Sequence, residues 1–169
     1  MTIIAKLNQM FSAGQLEPFI RHIRFPHYKN LAPNTRIDFT FPLTTLVGPN
    51  GTNKSSVLRA LYGAPGYNNL GKLWFSTRVD PIADTGGRPR FIYGFLNRHA
   101  GQVVEVVKSR IHKEDDPDYW EPSRPLIRDG MIPPPPMAEG EEDVPGRHKT
   151  RWANIEKEVL YIDFRSEIS

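Results

Sequence analysis

Gly48-Pro49-Asn50-Gly51-Thr52-Asn53-Lys54-Ser55-Ser56 gathers two glycines, a lysine and three hydroxyl side chains into nine residues. The stretch closes an apolar run, residues 43–47, and opens a helix-compatible run, residues 55–62. A glycine-rich turn between a buried strand and a helix points successive backbone N–H groups at one spot. That spot lies beside the positive end of the helix dipole, so a triphosphate can be held there. Lys54 would neutralise the β- and γ-phosphates of ATP and Ser55 would hold Mg²⁺, with the cradle supplied by Gly48, Pro49, Asn50, Gly51, Thr52, Asn53 and Ser56.

The pattern G-x-x-x-x-G-K-[ST] is met at every position but one, where Asn53 stands in place of the glycine before the lysine. Glycine is usual there because the loop bends through positive φ, and asparagine is among the few other residues that visit that region at low cost. The substitution therefore reads as a tolerated variant. The plainer alternative is a polar strand-turn-helix corner with no ligand.

Other chemistry-bearing residues carry less. Asp80 and Asp84 lie in turn-like sequence and read as turn caps rather than as charges near a phosphate. Gln102 sits beside Gly101 in an expected hairpin, a poor place from which to read a γ-phosphate. His22, His27, His99, His112 and His148 show no metal-ligand spacing. Cysteine is absent, so disulfides and thiolate metal sites are excluded.

The elements that must hold the loop can be read from hydrophobic periodicity. Ile3, Leu7, Met10 and Phe11 recur at helical spacing and predict an N-terminal helical extension over residues 1–18. Strands are expected at 19–25, with His22 and Arg24 facing away from Ile23 and Phe25, and at 36–41, before the buried strand that feeds the loop. Residues 90–96 and 103–111 read as an antiparallel pair, and 159–163 as a last strand. Residues 113–150, with four successive prolines and an acidic run, read as an exposed, partly mobile insertion pinned at its ends by Trp120 and Trp152.

At 169 residues the chain is about one domain, with enough apolar residues for a core. It shows neither an 18-residue apolar run nor a signal-peptide core, so a cytoplasmic protein without a membrane partner is the expectation. The net charge of +3 hides an asymmetry: residues 113–143 hold three basic and ten acidic residues, leaving +10 on the remainder. A basic body could favour nucleic acid, with Arg88, Arg90, Arg98, Lys108 and Arg110 as candidate contacts; the plainer reading is a solvated face.

The order from residue 19 to residue 111, with Leu46-Val47-Gly48-Pro49-Asn50-Gly51 and Lys54-Ser55-Ser56 at its centre, resembles the N-terminal half of ABC-type ATPase heads of the RecF, SMC and OLD-nuclease class. The resemblance implies an α/β P-loop NTPase fold with an antiparallel β subdomain, and head pairing as a homodimer around nucleotide. It also implies that residues 19–169 are the N-terminal part of a longer head, whose C-terminal half would supply the signature motif and catalytic glutamate. Neither motif occurs in this chain, so Lys54 is its one expected catalytic residue, and hydrolysis would depend on that other half. Asp163, ending the run Val159-Leu160-Tyr161-Ile162, resembles a Walker B aspartate, although Phe164 rather than glutamate follows.

Within the class, Ile23-Arg24-Phe25-Pro26, Tyr28-Lys29-Asn30-Leu31 and Gly48 to Ser56 look most like the PtuA-type ATPases of Septu and type I-B retron antiphage systems. That likeness implies an HNH nuclease partner and, in a retron, a reverse transcriptase with its DNA and RNA. A DNA-repair or chromosome-structure ATPase, and a nucleotide-sensing interaction protein that scarcely hydrolyses ATP, are the alternatives.

Overall fold

The computed structural model describes residues 2–74 and 87–162. Asp80, Asp84 and Asp163 lie outside the described residues. Helix α1 (Ile3–Ser12) is capped by the Thr2 hydroxyl, which accepts from the Ala5 N–H. Strand β1 (Ile20–His27) pairs antiparallel with β2 (Thr35–Asp38) on one side and with β3 (Arg90–Asn97) on the other. Strand β4 (Gln102–Ile111) and strand β5 (Tyr119–Ser123) complete a five-stranded sheet of order β2-β1-β3-β4-β5. Helix α2 (Lys54–Tyr62) follows the glycine-rich loop at residues 48–53, and β6 (Arg147–His148) pairs with β7 (Arg151–Trp152) in a separate small hairpin.

Both faces of this sheet are covered, and strand alternation decides what each receives. On one face Ile23, Phe25, Phe91, Tyr93, Phe95, Val104, Val106 and Trp120 pack with Val57 and Ala60 of α2 and with Leu70 and Trp74 beyond it. Tyr28 stands at the centre of an aromatic cluster, with ring centroids 4.7 Å from Trp74, 5.8 Å from Phe91 and 5.9 Å from Trp120 in edge-to-face arrangements. On the other face Ile92 and Val107 are roofed by Leu126 and Met131.

The second face also carries a charged lattice. Arg24 grips Glu105 through two hydrogen bonds, at 2.8 and 2.7 Å, and His22 Nε2 lies 2.9 Å from the same carboxylate. Arg90 holds Asp129 in the same two-pronged way at 2.6 and 2.7 Å. Burial alone would raise the Glu105 carboxyl, but Arg24 and His22 hold it down at about 2. His22 can lie flat against the sheet because its neighbour on β3 is Gly94, where a Cβ would meet His22 Cε1 at 2.1 Å.

Several expectations change here. Residues 43–47 form no strand: Leu43 is 79% and Val47 85% exposed, and only Leu46 of the run packs against the core. An apolar run becomes a strand only where a neighbouring strand accepts its hydrogen bonds, and no described strand lies alongside. Residues 159–162 are likewise without strand pairing, with Leu160 and Ile162 exposed. The sheet is antiparallel throughout, and among the described residues no parallel strand pair is present.

The stretch 113–150 is not a detached insertion. β5 extends the sheet from β4, Trp120 is buried in the core, and Met131 closes the opposite face. A few large apolar anchors spaced through a polar segment suffice to dock it, which its average composition conceals. The basic-patch reading fails at three of five positions. Arg90 is bound to Asp129, Arg110 to Asp118 at 2.9 Å, and Lys108 is fully buried. Arg88 and Arg98 remain exposed.

Lys108 points to the α2 side of the sheet, where its ammonium donates to the carbonyls of Pro65 and Asn68 at 2.8 and 3.2 Å. Burial pushes that ammonium down to about 8. A lysine whose folded-state value is depressed binds fewer protons in the native than in the unfolded chain above pH 8, so stability rises with pH there. Urea unfolding should show this rise between about pH 8 and pH 9.5, below the range of Tyr28 and Tyr93, whose phenols burial pushes up. Lys108→Met should flatten it; an unchanged slope would contradict the buried placement.

Gly94→Ala should cost about 2 kcal/mol in the same urea assay, because the added methyl displaces the His22 ring from Glu105. The double variant with His22→Ala should recover part of that loss.

Candidate nucleotide-binding site

The loop expected to hold phosphate adopts a curled form that its own residue types explain. Gly51 has φ of 82°, a value strained for any residue with a side chain. Gly48 lies at φ of 152°, where a Cβ would crowd the Thr52 hydroxyl at 3.2 Å. Thr52 Oγ1 donates to the Pro49 carbonyl at 2.9 Å and ties the bend across its neck.

Asn53 caps α2 from the left-handed region, with φ 63° and ψ 16°. This is the conformation that the glycine of the usual pattern would supply, and asparagine tolerates it. Its side chain makes no capping hydrogen bond to the helix backbone. The first-turn N–H groups of α2 thus receive no side-chain cap from Asn53, as a helix end that takes an anion requires.

Lys54 folds back into the loop. Its ammonium donates to the Gly48 and Pro49 carbonyls at 2.8 and 2.6 Å and lies 3.4 Å from Thr52 Oγ1. The cation is held at the centre of the bend by neutral oxygens alone, and the loop is exposed at Gly48, Pro49, Asn50, Gly51 and Thr52. An entering phosphate can exchange those carbonyl contacts for stronger charge-assisted ones.

The two serines take opposite roles. Ser55 is exposed in the first turn of α2, where a hydroxyl can reach a cation beside bound phosphate. Ser56 is buried: its hydroxyl lies 3.4 Å from Asn53 Oδ1 and its carbonyl accepts from the Tyr28 hydroxyl at 3.2 Å. Ser56 therefore belongs to the mounting of the loop rather than to its open side.

That mounting is where sequence reasoning fell short. Tyr28, which entered the sequence reading only within a family resemblance, reaches the start of α2 through Ser56, while Tyr93 donates to the Ala64 carbonyl at 2.8 Å, just past the end of α2. Two buried phenols from β1's end and β3 thus clamp the helix at both ends. A sequence signal existed for Tyr93, which alternates with Phe91 and Phe95 on the core face.

Other candidates fall away or change role. Gln102 is an exposed residue at the start of β4. His148 pairs with Asp143 at 2.8 Å and His22 with Glu105. Among the described residues no group of three histidines, aspartates or glutamates is placed to hold a metal ion. No helix among them is long and apolar enough to cross a membrane.

Over 88 residues, 52% of its length, the chain is 30% identical to the Chromosome partition protein Smc of Mycoplasma genitalium. It spans 8% of that protein. The similarity supports a distant SMC-like relation. No protein-family model and no solved structure matches the chain.

The local geometry predicts how position 53 responds to change. Asn53→Gly should leave stability within about 0.5 kcal/mol of the parent, whereas Asn53→Val should cost about 1–2 kcal/mol, the penalty of a branched side chain at positive φ. Urea midpoints of the two variants decide the point.

Proposed function

We propose that this chain is the nucleotide-holding part of an SMC-like or RecF-like ATPase head, binding ATP with Mg²⁺ at residues 48–55. The single observation that carries the reading is the Lys54 ammonium. It is enclosed by loop carbonyls at the point where an α-helix with no side-chain cap begins. A triphosphate laid in the bend would meet Lys54, the amides of Gly51 to Ser55 and the positive end of α2 together. Mg²⁺, held at the Ser55 hydroxyl, would offset charge on the β- and γ-phosphate oxygens.

The P-loop NTPase fold is part of the same proposal. An apolar groove runs between α2 and residues 155–162, lined by Leu46, Leu58, Leu61, Tyr62, Val159 and Leu160. Both apolar segments that lack strand partners, 43–47 and 159–162, border it. Further strands of a complete head would seat in this groove and turn those segments into sheet. Pairing of two heads around nucleotide would then follow the usual logic of the class, with Lys54 contributing charge neutralisation and positioning.

Two narrower readings divide on different observations. The similarity to a chromosome partition protein favours a chromosome-structure role. An antiphage ATPase that licenses an HNH nuclease, with a reverse transcriptase and its nucleic acid in a retron, rests on the resemblance in residues 23–31 and 48–56 alone.

Isothermal calorimetry with ATP and Mg²⁺ tests the shared core of these readings. Binding should be measurable in the parent and at least tenfold weaker in Lys54→Ala, since the lysine is the loop's only cation. Equal affinity in the two proteins would overturn the proposal.

A further inference from the structure

Residues 131–137, Met-Ile-Pro-Pro-Pro-Pro-Met, start from Met131 on the face of the sheet opposite α2 and line no part of the proposed nucleotide site. Four successive prolines fix φ near −65°, remove four N–H donors and push each preceding residue out of the helical region. Such a run favours a polyproline II helix, three residues per turn with no internal hydrogen bonds. No helix or strand is assigned to the segment, and burial along it has a period of three. Met131 and Pro134 are buried and Met137 is half-buried, while Ile132, Pro133, Pro135 and Pro136 are exposed.

That period means one edge of the three-edged helix is anchored on the body. Met131 seals the Ile92 and Val107 cluster, and the Leu126 N–H donates to its sulfur at 3.3 Å. A guanidinium hydrogen bond from Arg147 to the Pro135 carbonyl braces the middle. The other two edges stand free. One carries Ile132 and Pro135, the other Pro133 and Pro136, so two apolar-proline pairs, Ile132-Pro133 and Pro135-Pro136, project outward with the buried Pro134 between them.

We infer that this ridge is a docking element for a separate protein domain that presents an aromatic-lined groove. Such grooves grip two edges of a polyproline II helix and leave the third untouched. The edge left untouched is the one this chain uses to hold the ridge in place. Anchoring fixes the helix before binding, so little ordering entropy is lost on association. The charge beside the ridge specifies the partner further. Just past the ridge the chain turns at residues 138–141 and brings Glu139, Glu141 and Glu142 to that end, so the groove that fits has lysine or arginine on its rim there.

The test is a titration of the ¹⁵N-labelled chain with two probes, an SH3 domain and a WW domain chosen for a basic groove rim, read by amide NMR. With at least one probe, saturable shifts should be confined to the amides that flank the prolines, Met131, Ile132, Met137, Ala138 and Glu139, and to the ridge's immediate contacts. Pro133→Ala with Pro136→Ala should weaken that binding at least tenfold. Both residues are exposed and contribute no core contact, so the urea midpoint of the double variant should move by no more than the loss of about 0.4–1 kcal/mol per site that removing a proline brings through the unfolded chain. Glu139→Lys, just past the ridge, should weaken binding at low salt and less so at high salt. No shifts with either probe, shifts outside the ridge, or equal binding by the variants would overturn the inference. ATP binding by the loop is unaffected in either outcome, so this result and the nucleotide proposal fail separately.

Discussion

Two buried hydroxyl groups govern the placement of everything that could do chemistry in this chain. Tyr28, at the end of β1, and Tyr93, on β3, donate to backbone carbonyls at Ser56 and Ala64, one at each end of the α2 region. Each ring is wholly buried, so each hydroxyl must find a partner or leave an unpaired polar group in the core, at a cost of about 1–3 kcal/mol. That requirement gives α2 one position on the sheet, which hydrophobic packing of Val57 and Ala60 alone would leave free to slide. The glycine-rich loop precedes the helix directly, so its position is set from the sheet.

The local geometry of the loop was legible in the sequence because it rests on backbone conformation. Gly48, Gly51 and an asparagine able to adopt positive φ stand where the bend needs them. Strands β1 to β4 were legible too, from alternation and from aromatic and β-branched residues. Residues 43–47 misled because apolar character reports readiness to be buried, whereas a strand also needs a hydrogen-bonding neighbour. β5 escaped notice since it lies in an acidic, proline-rich stretch where Trp120 is the one strong apolar signal. Lys108 was misread for a different reason. Both faces of β4 are covered, so parity alone cannot say that a lysine following Val104 and Val106 points inward.

Charge is distributed according to the same two-sided construction. The face away from α2 stores its arginines against Glu105 and Asp129, and those pairs tie β1, β3 and β4 to the 124–131 segment. The α2 face is almost wholly apolar except for Lys108, which holds the 65–68 turn through carbonyls. Lys54 likewise rests on carbonyls, but at the surface, where its charge stays available to a ligand. A cation satisfied by neutral oxygens is easily exchanged onto phosphate; one locked to a carboxylate is not.

The proposed nucleotide binding rests on the loop's geometry, and the similarity to a chromosome partition protein supports a distant SMC-like relation. The most direct measurement is amide NMR of the labelled chain during addition of ATP and Mg²⁺. The account predicts that the largest shifts fall on Gly51 to Ser56, with smaller ones along α2 and none in the 131–137 ridge. Shifts spread evenly over the basic surface, or absent from the loop at millimolar nucleotide, would contradict it.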